Sequence, residues 1–283
     1  MTAQDDIVPA AALPGTKVRR AFGEVPGLKT LAFCFLAFLY LPIGVLVAYS
    51  FNEGNIVMVW TGFSTDWYAQ ALADADIRKA AMNSLIVAVS ATAISTTCAT
   101  LAALALARGG AFRGKVALLG LISLPLMVPE IVTAVATLVF FSSIGLRLGL
   151  GNVIIAHTTF CIPFAFMPIR ARLEGMDTTL EQASRDLYAS DWETFRLVTL
   201  PLLMPGVLAG AMLAFVISMD DFIITLMVAG AGDTTLPVYI YSMIRQGITP
   251  EVNAVSSILL LFSIAMVTAY WFTTRQKPGR NIH

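Results

Sequence analysis

Charge is scarce in this chain. Of its 283 residues 13% are charged, and eighteen basic and eighteen acidic residues cancel to zero. A nucleic-acid partner is excluded, because binding phosphates needs a basic surplus. Cysteine is scarce too. Cys34, Cys98 and Cys161 lie far apart in apolar stretches, with neither metal-ligand spacing nor a disulfide framework. What is abundant is apolar: 57% of the residues are hydrophobic, against about 45–50% in soluble chains. That excludes disorder, whose signature is low apolar content. It also excludes a soluble domain, which so few charges would not keep in solution. The remaining class is an all-α integral membrane protein.

A hydrocarbon core of about 30 Å needs roughly 20 apolar residues in a helix. Six stretches fit: 31–51, 83–107, 116–141, 153–169, 205–228 and 254–272. None alternates with period two, as barrel strands would. The sequence thus predicts a lead over 1–28, a transmembrane domain over 29–275 with a long loop at 170–204, and a tail over 276–283. A cleaved signal peptide does not suit the first stretch, whose charged lead and apolar run are both too long. Fourteen of the eighteen Lys and Arg residues fall on the side holding both termini, the 108–115 turn and the 170–204 loop. Basic residues collect on the cytoplasmic side, so both termini are expected there. Trp60, Phe63, Trp67 and Tyr68 suit an aromatic belt at headgroup level on the other side.

Gly109–Lys115 fits the nucleotide pattern G-x-x-x-x-G-K, but Val116 stands where Ser or Thr must hold magnesium, and no strand precedes it. A basic turn between two spans explains it. The 170–204 loop says more. Thr178-Thr179-Leu180-Glu181 reads as a capping box, with Thr178 as N-cap and Glu181 at N3. Leu180, Ala183 and Leu187 then form one stripe of a short amphipathic helix. Ala189-Ser190-Asp191 suggests a break and a new cap for a helix through Leu200. The stripe has nothing within its own loop to cover it. It lies on the membrane or the bundle, or it docks in a partner's groove.

Leu180-Glu181-Gln182-Ala183-Ser184-Arg185-Asp186-Leu187-Tyr188-Ala189-Ser190, followed by Val198-Thr199-Leu200-Pro201, resembles the EAA loop of binding-protein-dependent ABC importer permeases. Gln182-Ala183-Ser184 stands for E-A-A, and Tyr188 stands where the family has a turn-forming glycine. Tyr188 takes φ > 0 only at a cost, so the helix is expected to run on there. Further stretches resemble the spermidine/putrescine (polyamine) branch: Leu39-Tyr40-Leu41-Pro42, Leu124-Pro125-Leu126-Met127-Val128-Pro129-Glu130, Ser218-Met219-Asp220-Asp221-Phe222 and Thr234-Thr235-Leu236-Pro237. The resemblance implies a MetI-like permease fold in a bacterial inner membrane. It implies a second homologous permease subunit, two cytoplasmic ABC ATPases and a periplasmic substrate-binding protein, with membrane lipid around. ATP and magnesium would sit on the ATPases, with no cofactor in this chain. The helix carrying Thr178, Leu180, Glu181, Gln182, Ala183, Ser184, Leu187, Tyr188 and Ala189 would be the ATPase-coupling element.

The intramembrane charges make a separate argument. Within the six stretches every ionised side chain is a carboxylate: Glu130, Asp220 and Asp221. Charge in a membrane helix is costly and usually functional. At about 1.5 Å per residue, Glu130 is roughly 21 Å from residue 116 and Asp220 roughly 22 Å from residue 205. His157 is roughly 6 Å from the outer end of its span. All three spans therefore bring polar groups to one outer layer, suited to a cation arriving from outside. Adjacent helical residues point about 100° apart, so the two aspartates are not expected to face one path. Tyr239 and Tyr241 offer aromatic faces to an amine. The path residues so nominated are Glu130, Asp220, Asp221, His157 and Tyr239. Capping or packing roles compete with that assignment. A permease of the same family for another amine or an amino-acid-like solute, a secondary carrier and a membrane enzyme are the rival functions.

Overall fold

The computed structural model describes residues 27–57, 59–247 and 249–274. The tail over 276–283 and all but the last two residues of the 1–28 lead lie outside the described residues. Among the described residues, those up to Val45 form one compact unit and those from Leu46 a second. The first holds most of α1 (Leu28–Tyr49), a 22-residue helix that from Leu31 onward is apolar around its circumference. At about 1.5 Å per residue it is long enough to span a bilayer.

The second unit is built on α3 (Ala75–Arg108), α6 (Leu150–Glu174) and α9 (Leu200–Asp220), which pack on one another more extensively than any other helices. Small side chains permit this. Ala88, Ala91, Ser95, Ala99 and Ala103 run down the buried face of α3 at helical spacing. Gly210 of α9 lies so close to α6 that an added Cβ would stand 2.6 Å from the Ala165 carbonyl oxygen. Water does not drive helices together in lipid, so close backbone approach supplies the dispersion contact instead. Ile169, Leu173 and Leu203 fill the core between them. The start of α3 is fixed by Asp74, whose Oδ1 accepts the N–H groups of Asp76 and Ile77 at 2.7 and 3.0 Å.

Two expected single helices are broken. The 116–141 stretch is α4 (Lys115–Met127) and α5 (Glu130–Ser143), which meet at 112°. Pro129 has no N–H for the helix, and Val128 before it is pushed into the extended region at φ −89°, ψ 133°. Neither piece alone reaches across 30 Å at about 1.5 Å per residue. Depth counted along one continuous helix therefore does not hold for Glu130, which opens α5. The 205–228 stretch stops at Asp220, and α10 (Ile223–Val228) follows after an extended Asp221. Upstream, α9 continues from α8 (Asp191–Thr194) through a π turn at Phe195–Thr199. Pro201 has no N–H to give the Leu197 carbonyl, and the wider turn accommodates that gap.

Among the described residues five helices are therefore long and apolar enough to cross a membrane, and six such spans exist if the α4–α5 pair is one. The last is α12 (Pro250–Thr274). Two shorter helices, α2 (Asp66–Ala73) and α11 (Leu236–Gln246), pack beside it and α3 around Ala71, Ile77, Leu236 and Val255. Before α2, Asn52 ties down its loop: its Nδ2 donates to the Val59 carbonyl at 2.8 Å and its Oδ1 accepts the Thr61 N–H at 2.9 Å. The aromatic side chains there stack on one another, Phe51 on Phe63 and Tyr68.

Candidate functional site

The break between α9 and α10 holds a buried polar cluster. His157 of α6 is 1% exposed and Asp221 is 6% exposed. His157 Nε2 lies 3.1 Å from Asp221 Oδ1 and 2.9 Å from Thr225 Oγ1, and Nδ1 lies 2.8 Å from Ser218 Oγ. One tautomer fits the three contacts, its Nε2 hydrogen shared between the Asp221 carboxylate and the Thr225 hydroxyl oxygen. With hydrogen on Nε2 the ring donates toward the carboxylate, and Nδ1 accepts from the Ser218 hydroxyl. Asp221 Oδ1 also accepts the N–H and hydroxyl of Thr225 at 3.0 and 3.1 Å. The aspartate thus caps the first turn of α10 while His157 pins it to α6. Among the described residues its Oδ2, also buried, has no hydrogen-bond partner. Glu130, half-buried at the head of α5, is its electrostatic neighbour.

Asp220 faces the other way. It lines a cleft of about 600 Å³ together with Phe222, Tyr241, Ile244, Ser256 and Ser263. Among the described residues it has no ion-pair partner within 4.0 Å. Tyr241 packs on Phe222 with centroids 4.8 Å apart, and the Arg245 guanidinium lies 5.4 Å from the Tyr241 centroid. Of the nominated path residues, the structure brings His157, Asp221 and Glu130 together and sets Asp220 apart. Tyr239 is in neither group. It lines a small cavity with Asp76, Lys79 and Asn83, where burial and then Asp74, Asp76 and Glu251 push its hydroxyl pKa upward. The partners Ser218 and Thr225 were not legible as site residues. The one sequence cue was the four-residue spacing from Asp221 to Thr225.

The 170–204 segment forms α7 (Thr179–Asp186). The expected capping box is absent there. The Thr178 side chain makes no cap bond, and Asp177 Oδ1 instead accepts the Thr179 N–H at 2.9 Å. That hydrogen bond holds the Asp177 carboxyl below the usual carboxylate range. Glu181 is otherwise engaged. Its Oε2 accepts from Arg108 Nε at 3.0 Å and its Oε1 from the Thr199 hydroxyl at 3.1 Å, tying α7 to the end of α3 and to the π turn. Ser184 meets Thr194 at 3.0 Å on the same side, and Gln182 borders the cavity between them. The capping box lies one helix later, where Ser190 and Glu193 bond reciprocally at the start of α8.

The helix does not run on at Tyr188. Its φ is 61°, and it is the one non-glycine residue with positive φ among the described residues. The Tyr188 N–H bonds the Arg185 carbonyl at 2.9 Å, and the Ala189 N–H bonds the Ser184 carbonyl at 3.2 Å. This 5→2 and 6→1 pair is a Schellman cap, with tyrosine at its left-handed position. The stripe is uncovered: Leu180, Ala183 and Leu187 are all exposed, Leu187 at 82%, and Tyr188 stands beside them at 97%.

A family described as binding-protein-dependent transport system inner membrane component matches residues 95–280. The chain belongs to that family. It is therefore a membrane transport subunit rather than an enzyme, and membership implies an ATPase and a substrate-binding protein as partners. The spermidine/putrescine transport system permease protein PotC of Escherichia coli K12 is 40% identical over 245 residues, 87% of this chain and 92% of the relative. The putrescine transport system permease protein PotI of the same organism is 37% identical over 250 residues, 86% and 89% of the two chains. Solved structures share the fold at low identity. A bacterial ABC transporter involved in alginate import superposes with TM-score 0.67 at 16% identity, covering 89% of this chain and 95% of that one. The inward-facing MetNI methionine ABC transporter gives 0.59 at 20%, covering 69% and 92%. The fold is thus the MetI-like permease fold.

Within this binding-protein-dependent permease, α7 belongs to the matched region and so does the His157–Asp221 cluster. The π turn and the Asp221 break lie at the two ends of α9. A single helix, α9, therefore runs from the π turn that meets Glu181 of α7 to Ser218 of the buried cluster.

Proposed function

We propose that the chain is one of two related permease subunits of an importer that carries a polyamine, putrescine or a similar cationic amine, across the bacterial inner membrane by alternating access. ATP and magnesium bind two cytoplasmic ATPases, and a periplasmic binding protein delivers the substrate. Both termini lie in the cytoplasm, as the distribution of Lys and Arg requires. The exposed stripe of α7, with Tyr188, seats on an ATPase. The opposite side, through Glu181 and Ser184, passes the movement to α3 and α9.

The observation that carries the substrate class is Asp220. A carboxylate in a membrane-spanning stretch, open to a cleft and without an ion-pair partner among the described residues, favours a positive ligand. Phe222 and Tyr241 line the same cleft, and Tyr241 already holds one cation, Arg245, over its ring. Asp221 and His157 hold the helix break in place rather than meeting the substrate. The spermidine/putrescine and putrescine systems of the two Escherichia coli relatives support the amine class.

The test is uptake of labelled putrescine by the intact importer in vesicles. Asp220→Asn should lower uptake about tenfold, the loss of one charge-assisted contact of about 1.5 kcal/mol, with subunit assembly unchanged. Normal uptake by that variant, or transport of an anionic solute by the parent, would overturn the proposal.

A further inference from the structure

A second cavity, of about 500 Å³, opens between the ends of α3, α4 and α6. Its apolar wall is Ala103, Leu106, Val116 and Leu119. Three basic side chains from three different helices rim it: Arg108 in the last turn of α3, Lys115 at the start of α4 and Arg170 one turn from the end of α6. Glu174, the one acid on the rim, pairs with Arg170 at 2.7 Å. Arg108 pairs with Glu181. Lys115 has no ion pair among the described residues. A net positive mouth remains.

The turn that resembles a nucleotide loop explains how Lys115 gets there. Gly114 sits at φ 96°, a left-handed position open to glycine, and reverses the chain so that α4 starts beside the ends of α3 and α6. Nucleotide is not what the site suits. A soluble anion would leave the apolar wall wet, and a cation would be repelled at the mouth. An amphiphile with an anionic head and an acyl chain matches both parts. Val116, at 85% exposure, stands on the lipid-accessible side of that wall.

We propose that this cavity binds an anionic phospholipid of the cytoplasmic leaflet, its phosphate between Lys115 and Arg170 and its acyl chain along Leu106, Val116 and Leu119. Basic pockets between membrane helices on the cytoplasmic side bind such headgroups. The leaflet assignment rests on the orientation proposed above.

The test is native mass spectrometry of the purified intact importer titrated with phosphatidylglycerol in neutral detergent. The parent should hold one tightly bound phosphatidylglycerol more per copy of this chain than a Lys115→Gln, Arg170→Gln variant, whose affinity falls roughly tenfold or more. Arg108 is left unchanged because it also anchors α7. A Lys115→Arg, Arg170→Lys variant, which keeps both charges, should retain the lipid and so exclude a folding defect. Equal retention by the charge-removed variant would overturn the proposal. So would displacement of the lipid by inorganic phosphate alone, which would make this a free-anion site. Orientation is read separately: Gly110→Cys in a cysteine-free background should react with an impermeant maleimide from the cytoplasmic side. Labelling from outside would overturn the orientation and the leaflet, whereas retention in detergent tests the cavity itself.

Discussion

Two neighbouring aspartates show how backbone geometry divides chemistry. Asp220 ends a helix and faces open space, while Asp221 turns inward and caps the next helix. Sequence reasoning separates the two by helical phase, but it does not tell which one turns inward. That choice is set by His157, 64 residues away in the chain, whose ring supplies the partner a buried carboxylate needs. His157→Ala should therefore act on stability. Taking the ring's hydrogen bond from the buried Asp221 carboxylate costs about 1.5–3 kcal/mol, read as a clear drop in the melting temperature of the purified importer. Asp220→Asn should leave that temperature unchanged. Tyr188 is the opposite case, a residue whose conformation costs something for no internal contact. Tyr188→Gly should stabilise the chain by about 1 kcal/mol, measured by chemical denaturation. It should also weaken ATPase binding if the exposed ring is an interface residue. The expected helical run-on failed because two backbone hydrogen bonds of the cap outweigh that cost.

Elements were legible where apolar length decides and illegible where one backbone group decides. A hydropathy window adds side chains and so finds 116–141 and 205–228 as continuous stretches. It does not register the missing N–H of Pro129 or the extended Asp221. The capping box misplacement has a similar origin. Thr178 with Glu181 and Ser190 with Glu193 have the same spacing, but Arg108 and Thr199 claim the first glutamate from other elements. The small residues Gly206, Gly210 and Ala214, four positions apart, do read from sequence as a close-packing face, and at Gly210 the neighbour is a backbone carbonyl that cannot rotate away. Gly210→Ala should thus force α9 from α6 and cost about 1–3 kcal/mol. A lower melting temperature with normal putrescine affinity of the binding protein would be the observed pattern. An unchanged temperature would mean that the two helices are further apart than the structure places them.

At the scale of the whole molecule, family and fold were legible because many short motifs spread over the chain agree, whereas no single one decides. What was not legible is how the parts are wired. The protruding helix is held on one side by Glu181 and Ser184, whose partners lie on α3, α8 and the π turn that leads into α9. Its other side carries Leu180 and Leu187 with no cover. Force applied to the open side would reach the membrane helices through the anchored side. Leu187→Arg separates seating from folding. The residue is 82% exposed, and surface substitutions of this kind change stability by about ±0.5 kcal/mol or less. The variant permease should keep its melting temperature, yet ATPase recovered with it on purification should fall about tenfold, as for loss of one interface anchor. Full ATPase recovery with Leu187→Arg would mean that the stripe meets membrane or bundle rather than a motor, and the coupling role of α7 would have to be abandoned.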